Sequence, residues 1–280
     1  MKRIKLSGLS IRTIFLFSFL PITVLSITLF YFITINSISN NLDKTEYAEL
    51  QTNSDIIHED FDLLNASLFN LVAKYGVWDE VYLKAMENDK EFFKEKFNDR
   101  LPGNQNIDLI LVLDSNKRVL TSYGLEPEMI KSNRWMDLAI ENNLNNRCQN
   151  VESSYRSSLV RIGNALYSVG VTPIVRHTPL SPPGGVAIIG RQIDGEFMKN
   201  LSDKYKYKIS IILDNGFSFG ELPEESTDQF FKKGSQPTKQ TNGYSLISST
   251  LEDSRNGKVG VLIIGSSHEE YAQLYSSINK

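Results

Sequence analysis

A single cysteine, Cys148, serves a chain of 280 residues, so neither an internal disulfide framework nor a cysteine-rich metal site is available. Histidine is nearly as scarce. His58, His177 and His268 lie far apart, and none belongs to an H-E-x-x-H pair. No G-x-S-x-G nucleophile elbow occurs. Gly184, Gly185 and Gly190 lack dinucleotide-loop spacing, and no lysine-serine pair follows them. They fit bends, or places where a strand approaches another backbone. The chain is therefore expected to be no enzyme and to need no metal or cofactor. Basic excess is missing as well, with 30 Lys and Arg against 33 Asp and Glu, a net charge of −3. Four of the bases, Lys2, Arg3, Lys5 and Arg12, stand in the first twelve positions, which leaves 26 basic and 33 acidic residues beyond them, a net of −7. A negative body repels phosphate backbones, so nucleic acid is not the expected partner.

What the sequence does have is one long uncharged run. TIFLFSFLPITVLSITLFYFITI, residues 13–35, contains 23 residues without a charge. At ~1.5 Å per residue that is roughly 34 Å of helix, enough to cross a bilayer core. Basic residues before it and Ser37-Ile38-Ser39 after it also suit a signal peptide, but apolar cores of signal peptides are only about 7–15 residues long. A retained anchor is expected, and Pro21 within it is tolerable in a membrane helix. The bases before the span, against Lys44 alone soon after it, place residues 1–12 in the cytoplasm and everything from about Asn36 onward outside it. The expectation is a single-pass protein of the cytoplasmic membrane with a periplasmic or extracellular domain.

Beyond the anchor the pattern is helical from Ser37 to about Phe97, with Ile56, Ile57, Phe61, Leu64, Leu68, Leu71, Val72 and Tyr75 at three- and four-residue steps. Gly76 permits a kink or a new helix start there. After Leu101-Pro102-Gly103 the period shortens to two. Strands are expected at 107–113, 118–123, 165–175 and 184–193, a helical segment over 126–146, and a short helix after Asp194 as N-cap. The plan then recurs: a strand at 208–214 runs into an Asn215-Gly216 turn, a polar stretch follows, and strands at 244–251 and 257–265 flank a turn at Asn256-Gly257. The expected parts are a tail (1–12), an anchor (13–35), a long helix with a helical corner (36–100), a first sheet module (101–205), a second module or continuation (206–267) and a C-terminal helix (268–280). The fold class is α+β, with antiparallel sheets and helices on one face behind a long membrane-proximal helix.

Three stretches carry a resemblance: AKYGVWDEVY, LILVLDSNKRVL, and TPIV followed by GGVAIIGRQID. In order and spacing they resemble the fourth class of CHASE-type domains, the extracellular sensory domains associated with cyclases and histidine kinases, over roughly residues 55–215. The Trp-Asp pair is the most specific feature. Where the family often has a second carboxylate and a threonine, this chain has Glu80 and Val81. The resemblance implies a PAS/Cache-like sensory domain that binds a small ligand. It also implies output through a diguanylate cyclase, hence cyclic di-GMP signalling, or through a phosphodiesterase or histidine kinase. Family members usually continue into a second membrane helix and an output domain. Neither is present here, so the output is expected from a separate protein unless the chain is truncated. A homodimer is expected, because a single span has no other obvious way to transmit a helix displacement. The rival expectation is a membrane-tethered binding or scaffold module that sends no signal.

Two features are the candidate binding site. Tyr75, Trp78, Asp79 and Tyr82 are spaced i, i+3, i+4 and i+7, which predicts one helix face. Such a stripe is most simply core, with Asp79 capping a loop amide or pairing with an arginine. Alternatively Asp79 binds the amine of a ligand within an aromatic cage. Arg191, ending GGVAIIGRQID, is the sheet-borne partner expected either for Asp79 or for a ligand carboxylate, unless it simply faces water.

Overall fold

The computed structural model describes residues 11–147, 150–176, 181–222, 238–241 and 244–267, and the chain divides into two units, 1–49 and 50–280. Cys148, His177, His268 and the helix expected at 268–280 fall outside the described residues. Helix α1 runs Ile11–Gly76. Within the first unit, Phe19–Ile38 is long and apolar enough to cross a membrane, and its large side chains are exposed. Pro21 lies inside the helix without ending it.

In the second unit the helical continuation expected up to Phe97 is broken into pieces. Helix α1 stops at Gly76, and α2 (Asp79–Glu87), α3 (Lys90–Phe93), a π-helical turn (Lys94–Asn98) and α4 (Leu101–Gln105) follow. The physical reason for the first break is contact with the sheet behind it. A Cβ on Gly76 would lie 2.6 Å from Thr172 Cγ2 and 2.7 Å from the Pro173 carbonyl oxygen, while the Gly76 carbonyl accepts a hydrogen bond from Val175 N at 2.8 Å. The chain ends its helix where a strand end takes over the last carbonyl.

Among the described residues ten strands follow: β1 (Leu109–Asp114), β2 (Val119–Tyr123), β3 (Ser157–Ile162), β4 (Ala165–Ile174), β5 (Gly185–Ile193), β6 (Lys208–Leu213), β7 (Ser218–Gly220), β8 (Thr238–Thr241), β9 (Tyr244–Glu252) and β10 (Lys258–Ser267). They form two five-stranded sheets ordered β2-β1-β5-β4-β3 and β7-β6-β10-β9-β8. Every neighbouring pair is antiparallel. Shifted by five strands, the two orders are identical, so the architectural repeat visible in the sequence is a repeat of topology. In each sheet the last strand inserts beside the first, as when β5 pairs with both β1 and β4.

Helices on one face were expected, yet the first sheet is covered on both. Helices α5 (Pro127–Lys131) and α6 (Arg134–Asn145) bury Ile130, Trp135, Met136 and Ile140 against Leu109, Leu111 and Leu113. The opposite face, with Ile110, Val112 and Ile189, takes Leu68 and Val72 of α1, together with Val81, Phe93 and Phe97. Strand β1 is accordingly buried at all six positions, which explains why it reads as an uninterrupted apolar run rather than an alternation. The second sheet packs Ile209, Ile211, Leu262 and Ile264 against Leu50, Ile57 and Phe61 of α1 and against Met198 and Leu201 of α7 (Gly195–Tyr205). Asp194 caps α7 as expected, accepting a hydrogen bond from Phe197 N at 2.8 Å.

Leu50, Ile57, Phe61, Leu68 and Val72 thus form one stripe of α1, which serves the second sheet with its first three members and the first sheet with its last two. Contact is closest at Gly170 of β4, where a Cβ would come within 2.6 Å of Phe69 N and 2.7 Å of Leu68 C. Backbone cannot yield as a side chain tip can. Gly170→Ala is expected to lower the unfolding free energy by about 1–3 kcal/mol in urea titration of the chain in detergent micelles. Ile57→Ala, a cavity on the same stripe, is expected to cost about 2–5 kcal/mol in the same assay.

Candidate functional site

The residues of KYGVWDEVY do not lie on one continuous helix. Because α1 stops at Gly76, Trp78 becomes the extended residue before α2, and Asp79 and Glu80 occupy the first turn of that helix. Tyr75 belongs to the end of α1, and its ring centroid lies 5.2 Å from that of Trp78 and 5.1 Å from that of Phe97. Trp78 N approaches the Tyr75 carbonyl at 3.4 Å, and Tyr82 N bonds the Trp78 carbonyl at 3.0 Å, which opens α2. The shared face expected from spacing is therefore replaced by a corner. Two of its residues face inward: Tyr82 is 9% exposed and Tyr75 packs against the same apolar cluster. Trp78, at 46%, and Asp79 face outward. Asp79 meets the positive end of the α2 backbone dipole, a role the sequence pattern did not reveal.

Tyr82 marks which end of the first sheet the corner occupies. A Cβ on Gly184 would touch its ring at 3.1 Å, and the Arg176 guanidinium sits 5.9 Å from the ring centroid. Gly184 immediately precedes β5, whereas Arg191 lies seven residues further along the chain, near the other end of that strand. At ~3.3 Å per residue the two points are roughly 23 Å apart along the strand. Arg191 is thus not placed beside Asp79. It pairs across the sheet with Ser168 and lays its guanidinium 5.4 Å from the centroid of the Phe197 ring. There it lines a polar cleft of ≈ 400 Å³ together with Asp108, Tyr123, Asp194, Glu196 and Asn200. Sequence reasoning selected Arg191 but missed Asp108, because only the pairing of β1 with β5 brings residues 108 and 191 to one rim. Asp108 Oδ2 accepts a hydrogen bond from Gln192 N at 2.8 Å.

A second cleft, of ≈ 350 Å³, lies where α1 meets both sheets, between His58 and Asn65 of the helix, Ser157 and Ser158 of β3, and Glu252 and Asp253 of the β9–β10 hairpin. His58 Nε2 is 2.8 Å from Ser249 Oγ on β9, and Ser54 Oγ lies 2.9 Å from the same hydroxyl. Burial pushes the His58 imidazole below its usual range, against the charges of Asp62 and Asp55, which pull it upward. Further along the helix, Asp60 accepts hydrogen bonds at 2.7 Å from Lys204 Nζ and from Tyr205 Oη. Burial alone would raise its carboxyl, but those two donors outweigh it and hold Asp60 below the usual carboxylate range. Among the described residues no group of three or more histidines, cysteines and carboxylates is arranged to hold a metal ion.

A profile of the CHASE4 domain matches residues 63–211. No curated protein matches. Among solved structures, the periplasmic domain of Vibrio cholerae LuxQ superposes with a TM-score of 0.56 at 12% identity, covering 78% of this chain and 99% of that one. The extracellular domain of the putative histidine kinase vpHK1S-Z8 superposes at 0.51 and 12% identity, covering 82% and 98%. At such identities the likeness is one of fold.

Two outcomes follow from the geometry. The His58 pKa is depressed in the folded state, so the folded chain binds fewer protons than the unfolded one. That contribution to stability is complete above about pH 6.5 and is lost as pH falls through the folded-state value. Unfolding free energy is expected to decline below that pH, and His58→Gln to flatten the decline, as read by urea melts across a pH series. At the corner, Tyr82→Ala is expected to cost about 3 kcal/mol and Asp79→Ala only about 0.3–1 kcal/mol in the same melts.

Proposed function

The chain belongs to the CHASE4 domain family, and on that premise we propose that it is a membrane-anchored extracytoplasmic sensory domain that binds a small ligand. The observation that carries the reading is the α1 stripe: Leu50, Ile57 and Phe61 are locked into the second sheet, Leu68 and Val72 into the first. A ligand that favours one packing of either sheet on that helix biases the position of the helix by its differential affinity for the two arrangements. Residues 13–35 act as the anchor, residues 1–12 lie in the cytoplasm, and the two sheet modules of residues 101–205 and 206–267 lie on the far side. Output passes to a diguanylate cyclase, phosphodiesterase or histidine kinase, and two copies of the chain pair to carry a small rotation or piston movement. The domain receives a signal and performs no chemistry.

The test places the full chain in lipid nanodiscs, with spin labels at the exposed positions Ile56 and Leu63, and screens small metabolites by thermal unfolding. A true ligand at a hundredfold excess over its Kd adds about 2.7 kcal/mol of stability. The expected result is a rise in Tm, together with a shift in the distances between labels on paired chains. Binding without any such shift would leave a tethered binding module in place of a sensor, and an absence of pairing would remove the proposed route of transmission.

A further inference from the structure

The cleft around Arg191 has a charge pattern that narrows its ligand. We propose that it binds a small molecule carrying both a carboxylate and a protonated amine, of the class of an α-amino acid; this rests on the reading of the chain as a ligand-binding sensory domain. Arg191 is half-buried on β5 with its guanidinium against the Phe197 ring, and among the described residues that guanidinium has neither a hydrogen bond nor an ion pair. A guanidinium held by an aromatic face, with its N–H edges open, is prepared for a two-pronged carboxylate contact.

Carboxylates already stand in the cleft, yet they do not pair with it. Asp108 holds the Gln192 backbone amide and Asp194 holds that of Phe197, both at 2.8 Å, so each is tied to the backbone. Glu196 lies in the first turn of α7, where the helix dipole favours a negative charge. The cleft therefore presents one fixed cation and three carboxylates, Arg191 against Asp108, Asp194 and Glu196. A purely anionic ligand would find Arg191 but face three like charges. A purely cationic one would be drawn by the carboxylates yet leave the arginine donors unmet and be repelled by them. A molecule with both groups answers both. Asn200 and the Tyr123 hydroxyl supply neutral partners for the remainder, and ≈ 400 Å³ lies in the size range of small-molecule sites.

The experiment uses the full chain in nanodiscs. The standard L-amino acids are tested by calorimetric titration, and any that binds is retested as its methyl ester and as its N-acetyl derivative. At least one amino acid is expected to bind and both blocked forms to fail. Arg191→Gln is expected to weaken binding roughly ten- to a hundredfold. Glu196→Gln, on an exposed helical turn that folding does not depend on, is expected to weaken it severalfold. Absence of binding by any amino acid to the folded chain overturns the proposal. So does binding that survives either blocking group, or that neither substitution alters. An amino acid that binds elsewhere would leave the sensory reading intact while sinking this site. Binding lost in Arg191→Gln but without movement of the labelled helix would do the reverse.

Discussion

Everything in the second unit depends on a single helix face being apolar at the right intervals. Leu50, Ile57, Phe61, Leu68 and Val72 are spaced by seven and four residues alternately, which keeps them on one side over six turns or so of α1. An apolar stripe alone does not fix how far a helix slides or rotates, since one Leu fits where another did. Polar pairs along the same side supply that register. Ser54 and His58 meet Ser249 of the second sheet, Asp60 meets Lys204 and Tyr205 of α7, and Asn65 accepts a hydrogen bond from Ser168 of the first sheet at 2.6 Å. Each contact is modest, but together they define one seating among several that the hydrophobic term would accept.

The two sheets answer the same constraint with the same topology. Placing the last strand beside the first puts β5 and β10 in the middle, where both edges are paired. It also gives the first sheet two faces to hide, which α5 and α6 cover on one side and the helical corner on the other. The corner is thus part of the core before it is anything else. Gly76 lets α1 end against β4, Tyr75 and Tyr82 fill the space beneath, and Trp78 and Asp79 are left on the outside by the turn between the helices.

That arrangement separates two features that spacing along the chain combines. Hydrophobic closure occurs at the end of β5 near Gly184, and the fixed mixture of charges occurs at the end near Arg191. Since α7 begins at the charged cleft and then packs Met198 and Leu201 into the second sheet's core, a ligand at Arg191 would sit at the joint between the modules. The ligand proposed for that cleft would therefore touch the element that joins the first sheet to the second.

Several parts were legible because their signals are local. The uncharged run that forms part of α1, the strands IDLILVL and KISIILD, the Asn-Gly turns and the Asp194 cap all follow from neighbours in the chain. Strand β3 was not legible: SSLVRI begins with two serines, and it is a strand only because β4 pairs with it from Ser157↔Gly170 onward. Strand β8, Thr238–Thr241, has no apolar residue at all and exists by pairing with β9. The geometry of the candidate site was not legible for the same reason. Spacing put Tyr75, Trp78, Asp79 and Tyr82 on one face and offered Arg191 as their partner. A strand contact at Gly76 ended the helix, and the length of β5 carried Arg191 to the opposite end of the sheet. The sequence by itself determined which segments are apolar, where turns fall and that an uncharged span stands near the N-terminus. Only the tertiary structure decided which helix ends are cut short and which charges share a rim, because those are set by contacts between residues far apart in the chain.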